Sequence, residues 1–437
     1  MNETLPTADV VGGSESVSGR HVVGRVGGVS EVPLTVLPDP DPRPLWRPFI
    51  SVDDHALEPP NLFVDRLPAR MRATGPRIDP SHARPRWLVE DQVTPVCGGD
   101  AAVGRPIGQW LQLEIGYDEM RPGVRDSRER LRDMDLIGNW ASLCFPSIAW
   151  GFAGKRFSQM KDQELGLASM RAYNDWMLEE WCGADPNRFI ACQVPWLADP
   201  DVGAEEIIRN AERGFQCVTF SENPHGLGFA SLYSGDWDKF FATCEDTGTV
   251  VNLHVGSSGT VRQPSPESPV AAVTALFPLS GIEAVYDWIF SRIPIKFPKL
   301  RIVTSEAGVA WVPLVIDRLH SVYRRRTSYA PGWGDNDPSF VEVMHRNFFF
   351  TSIDDPSAFH NLDIIGADKI MLESDYPHCD STWPNTQGLF KKELSHLSDE
   401  DIAMICYATA ASLYAHPEPD PVWWSGLQTA NELSSRG

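Results

Sequence analysis

Positive charge is scarce in this chain of 437 residues: 38 lysines and arginines stand against 59 aspartates and glutamates, a formal net charge of -21. A nucleic-acid binder presents a basic footprint and an anionic membrane surface attracts basic segments, so neither partner is expected. Paired cysteine spacing is missing as well. Cys97, Cys144, Cys182, Cys192, Cys217, Cys244, Cys379 and Cys406 form no CxxC. That argues against a zinc knuckle or disulfide framework and for reduced thiols in a cytoplasmic protein. Residues 1–45 lack the basic and apolar regions of a secretory signal. The most apolar stretch, Pro269 to Pro278, is broken by Pro278, Glu283 and Asp287 before the ~20 apolar residues of a membrane span. A lid or dimer-contact helix is expected there.

What is present is alternation. Residues 1–45 are rich in Gly, Ser, Val and Pro and read as a disordered or draped arm. Beyond them, β-branched and apolar runs alternate with helical patterns: strands end near His55, Phe145, Gln193, Phe220, His254, Glu306, Thr351 and Glu373. Such alternation implies a parallel sheet, and the length suits an α/β fold, a (β/α)8 TIM barrel spanning 46–417. Residues 56–122, Pro-rich and without periodicity, form a long insertion expected to cap the barrel mouth. Residues 418–437 read as a C-terminal tail.

The strand ends carry the chemistry. Phe49-Ile50-Ser51-Val52-Asp53-Asp54-His55 places Asp53 and His55 on one face, because residues two apart on a strand point the same way. Alone, this pattern is more often a hydrogen-bonded turn than a metal site. Three further strands end in His254, Glu306 and Asp375, and in a barrel those ends converge on one face. His225, His378, Asp380 and Trp383 follow strand ends too and are candidates for substrate contact or for holding a ligand.

These motifs resemble the amidohydrolase-related family, the branch that includes aminocarboxymuconate semialdehyde decarboxylase and related nonoxidative decarboxylases. The residues that carry the resemblance are Asp53-Asp54-His55 with Glu58-Pro59-Pro60, Asn252-Leu253-His254, Ser305-Glu306-Ala307-Gly308, and Glu373-Ser374-Asp375-Tyr376-Pro377-His378, across about 46–417. It implies that Asp53, His55, His254, Glu306 and Asp375 hold a divalent metal, zinc first, with manganese or iron the alternatives, one or two ions per chain. It also implies a small-molecule substrate and a homodimer. Asp53 replaces the first histidine of the family's HxH, and Glu306 stands where the decarboxylases have histidine.

Asp375 and Glu306 are the expected catalytic groups. The extra carboxylates would repel a carboxylate substrate by about 4 kcal/mol per unit charge ~4 Å away at an effective dielectric near 20. Hydrolysis of an ester, thioester, amide or lactone by metal-activated water is therefore the first expectation. Nonoxidative decarboxylation of an aromatic or unsaturated acid is the alternative, and a ligand-binding barrel without catalysis the second.

Overall fold

The computed structural model describes residues 34–330 and 332–434. Eight stretches of parallel strand follow one another around a sheet: Phe49–His55, Asn139–Phe145, the stretch 189–193, Cys217–Phe220, Val250–His254, Ile302–Ser305, Phe348–Ser352 and Ile370–Leu372. The third is interrupted at Ala191. Its first part, Phe189–Ile190, pairs with Asn139–Phe145, and its second, Cys192–Gln193, pairs with Cys217–Phe220. Phe49–His55 lies between Asn139–Phe145 and Ile370–Leu372, so the last strand stands beside the first. This is the α/β architecture expected from the alternation, with the strand number and order of a (β/α)8 barrel.

The strands are buried on both faces, which is why they read as near-continuous apolar and β-branched runs. Crossover helices begin where capping residues predict. Asp126 accepts from the amides of Arg128 and Glu129 to open Ser127–Leu136, and Asp199 opens Pro200–Ala211 with proline at the first position. Between sheet and helices lies an aromatic core in which Phe220, Trp237, Phe240, Phe241 and Trp288 interlock. Each such side chain contributes roughly 2–3 kcal/mol by burial.

The insertion after the first strand carries a small antiparallel sheet, Arg77–Ile78, Arg86–Val89 and Gln92–Pro95, followed by single turns of 3-10 helix. Residues 34–45 of the expected arm lie over it. The Leu37 amide donates to the Gly104 carbonyl at 2.7 Å and the Thr35 amide to Gln109 Oε1 at 2.9 Å. The rest of that arm, 1–33, lies outside the described residues.

One expectation needs correction. Pro278, expected to break the apolar run, sits in the first turn of Phe277–Phe290, where a missing N–H costs nothing, and the helix continues through Glu283 and Asp287. With Val270–Thr274 it makes a stretch, Val270–Phe290, long and apolar enough by length and composition to cross a membrane. The expected tail contains the helix Pro421–Ser434. Trp423 of that helix packs on Trp140, and its indole N–H donates to Asp135.

Candidate metal centre and active site

Asp53 and His55 do share a face. Both are buried at the end of the first strand, while Asp54 turns away and accepts from Ser51 Oγ, Ser142 Oγ, Ser374 Oγ and the Tyr376 amide. Asp54 thereby ties the first, second and last strands together and is unavailable to an ion. Beneath the site, Arg130 donates to the carbonyls of His55 and Gly123, with its guanidinium 4.1 Å from the centroid of the Tyr376 ring. Tyr376 follows Asp375, so this cation supports the backbone on both sides of the centre.

His254, from the fifth strand, brings its Nε2 to 3.2 Å from His55 Nε2. The Nδ1 atoms face backbone carbonyls, His55 toward Pro146 at 3.2 Å and His254 toward Val255 at 2.7 Å. A carbonyl only accepts, so Nδ1 donates in each ring and Nε2 is left to face the carboxylates or an ion. Two Nε2 atoms this close, ringed by carboxylates, suit a cation between them. Asp53 Oδ1 stands 3.4 Å from His55 Nε2 and 3.5 Å from His254 Nε2, and Asp375 Oδ1 stands 3.3 Å from His55 Nε2. Donor atoms about 2.1 Å from one ion are roughly 3.0 to 3.4 Å apart at octahedral or tetrahedral angles. Both oxygens of Asp53 and of Asp375 are buried without a hydrogen-bond partner, and Asp375 Oδ1 has only the imidazoles of His55 and His378 beside it. Buried orphan carboxylates are costly unless paired or coordinating, so these residues fit a divalent ion.

The candidate ligands form overlapping groups. Asp53, His55 and His254 make one, His55, Asp375 and His378 a second, and Glu306, Asp375, His378 and Asp380 a third. Glu306 Oε2 is 3.5 Å from His254 Nε2. Its side chain is 8% exposed, whereas those of Asp53 and Asp375 are fully buried. Burial, then the charges of Asp380 and Asp375, push the Glu306 carboxyl well above its usual range. Burial would also raise Asp375, but His378 and His55 outweigh it and hold that carboxylate low. Glu306 and Asp375 have left-handed backbone, with φ of 59° and 47°. Side chains held there cost roughly 1–3 kcal/mol and cluster at functional sites.

His378 joins the site directly. Its ring stacks on that of His55 with centroids 3.7 Å apart, its Nδ1 is 3.0 Å from Asp375 Oδ1, and its Nε2 is 3.4 Å from Asp100 Oδ1. Burial opposes its charge, but Asp375 and Asp100 prevail and raise the imidazole well above its ordinary value. Asp380 is raised to about 8, by burial first and then by Asp375. Trp383 lies half-buried beneath the Arg121 guanidinium, 4.6 Å from its ring centroid. His225 is exposed on the turn Pro224–Leu227 and enters none of the ligand groups. Burial pushes the Cys379 thiol up to about 12, which removes it as a nucleophile.

Asp100 and Arg105 escaped the sequence reading. Both lie in the insertion, Asp100 in a single turn and Arg105 in a bend, with no periodic pattern to single them out. Arg105 Nη2 donates to the carbonyls of Gly98 and Trp110, while its Nε and Nη1 are buried without partners. Among the described residues no carboxylate pairs with it. A cavity of about 650 Å³ runs from His378 past Arg105, Val103 and Trp110 to Trp383. A larger one, about 790 Å³, is lined by Glu222, Tyr233, Arg262 and Asp287 and contains none of the candidate ligands. Of the two, the smaller is the candidate substrate space, because His378 is on its wall.

Residues 110–415 match the amidohydrolase family model. The chain belongs to the amidohydrolase family. It is accordingly a metal-dependent enzyme, a hydrolase or carboxy-lyase. No curated protein matches it. Among solved structures, this amidohydrolase is similar to one from Mycobacterium avium subsp. paratuberculosis K-10, with TM-score 0.66 and 23% identity over 84% of this chain and 99% of that one. It is also similar to 5-carboxyvanillate decarboxylase from Sphingomonas paucimobilis (TM-score 0.56, 20% identity, 85% and 99% covered). A third is dihydroxybenzoic acid decarboxylase from Polaromonas sp. JS666, with bound manganese and the inhibitor 2-nitroresorcinol (TM-score 0.53, 16% identity, 85% and 97% covered). At these identities the likeness concerns the fold.

Proposed function

We propose that this amidohydrolase is a nonoxidative decarboxylase of aromatic or unsaturated carboxylic acids. The observation that carries this is Arg105, a buried guanidinium with two unpartnered nitrogens, Nε and Nη1, on the cavity that reaches His378. Burial pushes it down to about 10, which still leaves it a cation at neutral pH. The excess of carboxylates at Asp53, Glu306 and Asp375 favours hydrolysis of a neutral carbonyl only if no positive charge offsets it. His378, stacked on His55, and Arg105 supply that charge. The similarity to two decarboxylases points the same way.

Asp53, His55, His254 and Asp375 would hold one divalent ion. Manganese takes precedence over zinc, because two carboxylates beside two imidazoles suit it and the Polaromonas enzyme binds it. When bound, the ion supplies a Lewis acid that orients the acid and steadies negative charge. Arg105 binds the substrate carboxylate. Glu306, the more open carboxyl and the one kept protonated, passes its proton to the ring carbon that bears the carboxylate. The bond to the carboxylate then breaks, carbon dioxide leaves, the electron pair restores the ring, and Glu306 recovers a proton from solvent.

The test is a panel of aryl carboxylates and aryl esters with manganese-loaded protein. Carbon dioxide release, with KM raised at least tenfold in Arg105→Gln, is the expected result. Acid release from the esters alone would overturn it in favour of hydrolysis.

A homodimer is part of this proposal. Val270–Phe290 is about one-fifth buried, with Leu279 exposed. Its acids are tied to the protein, Glu283 to Arg262 and Asp287 to the Tyr233 hydroxyl, which suits a subunit contact better than lipid. A cytoplasmic location is proposed from the eight free cysteines.

A further inference from the structure

We propose that Asp100, brought to the centre by the insertion after the first strand, is the positioning residue for His378 and, through it, for the candidate ligands that His378 touches. The insertion meets the loop of the last strand at three points. The amides of Ala102 and Val103 both donate to the Pro377 carbonyl, at 2.9 and 3.1 Å, and Asp100 Oδ1 stands 3.4 Å from His378 Nε2. On its other side the same imidazole brings Nδ1 to 3.0 Å from Asp375 Oδ1, and its ring stacks on His55 with centroids 3.7 Å apart. Carboxylate, imidazole and carboxylate thus follow one another, and a cation held between two anions cannot swing toward one without losing attraction to the other.

Asp100 is itself firmly placed. It is 2% exposed, in the single turn Gly98–Ala101. The Gly98 amide donates to the Gln112 carbonyl at 3.0 Å, and a Cβ at Gly98 would lie 2.5 Å from that oxygen, so glycine permits this close approach. The Ile148 amide donates to Asp100 Oδ1 at 3.2 Å and ties the turn to the loop after the second strand. That bond accounts for an acceptor at this position but not for a charge, since asparagine offers the same oxygen. A buried carboxylate needs a countercharge, and among the described residues His378 is the cation that pairs with Asp100, whose Oδ2 has no hydrogen-bond partner. The ion pair is therefore what aspartate adds. Arg105 donates to the Gly98 carbonyl of the same turn. One turn of the insertion thus sets both cations of the proposed acid site, Arg105 and His378.

The inference rests on the proposed metal and acid site, and its decisive test needs no turnover. In full-length protein loaded with cobalt(II), the ligand-field absorption reports how the bound ligands are arranged. Asp100→Asn and Asp100→Ser each keep an oxygen for the Ile148 amide and delete the charge. Both are expected to shift the absorption of the wild type and to leave that of His378→Gln unchanged, because a residue acting through His378 then has nothing to act on. Turnover by manganese-loaded protein, on whichever acid or ester of the panel is a substrate, should follow the same cycle. It falls about 10- to 100-fold in kcat when Asp100 alone is substituted, and no further when His378→Gln is already present. Hydrogen exchange at the Ala102 and Val103 amides should stay as in the wild type. Faster exchange would mean that Asp100 docks the insertion instead, and overturns the proposal. An unshifted absorption in both variants, or effects that multiply with those of His378→Gln, overturn it too. If the cycle holds on an ester and no acid releases carbon dioxide, the decarboxylase reading fails and Asp100 keeps its role.

Discussion

At the scale of single residues, Glu306 separates binding from chemistry. If it is the proton donor and the ion rests on the other four ligands, Glu306→Gln should retain its metal while turnover falls about 10²- to 10⁴-fold. Metal analysis beside a carbon dioxide assay checks both halves. Glu58 tests a different property. It is buried, accepts from the Ser147 amide and hydroxyl, and burial raises it from 4.5 to about 7. A carboxyl raised in the folded state favours folding below its unfolded value, and that contribution is lost as pH rises through the folded value. Between pH 4.5 and 8 the wild type should therefore lose roughly 3 kcal/mol relative to Glu58→Gln. Urea titrations at the two pH values measure it.

At the scale of elements, the neighbours Asp53 and Asp54 divide the candidate ligand role and architecture by pointing to opposite faces. Asp54→Ala would strand the Ser51, Ser142 and Ser374 hydroxyls and the Tyr376 amide, and should cost about 2–4 kcal/mol by denaturant melting. The strands that carry ligands were legible because burial on both faces leaves an apolar run, and each run ends where a polar residue meets the barrel mouth. That Asp53, His55, His254, Glu306 and Asp375 come together at the strand ends was readable that way. Asp100 and Arg105 were not, because neither a single 3-10 turn, which holds Asp100, nor a bend, which holds Arg105, imposes a period on its side chains. Pro278 misled for a related reason: proline breaks a helix in its interior but not in its first turn, and position within the helix depends on where packing lets it start.

At the scale of the whole molecule, the centre is a store of repulsion. Asp53 and Asp375 are packed beside Glu306, Asp380 and the buried Glu373 in a chain that is already strongly anionic. A bound dication relieves this, and at 1,000 times its dissociation constant adds about 4 kcal/mol. Chelation should lower the melting temperature by several degrees, and manganese should restore it in a scanning fluorimetry experiment. Charge can also report on assembly. Leu279→Asp should shift sedimentation from dimer toward monomer if Val270–Phe290 is the contact. The left-handed backbone at Glu306 and Asp375 has a consequence for anyone redesigning this enzyme. Those two positions admit Gly, Asn and Asp readily and exclude Val, Ile and Thr. A mutant library over the pocket is therefore best spent on Leu37, Ile107 and Trp383, leaving the two strained turns with a short alphabet.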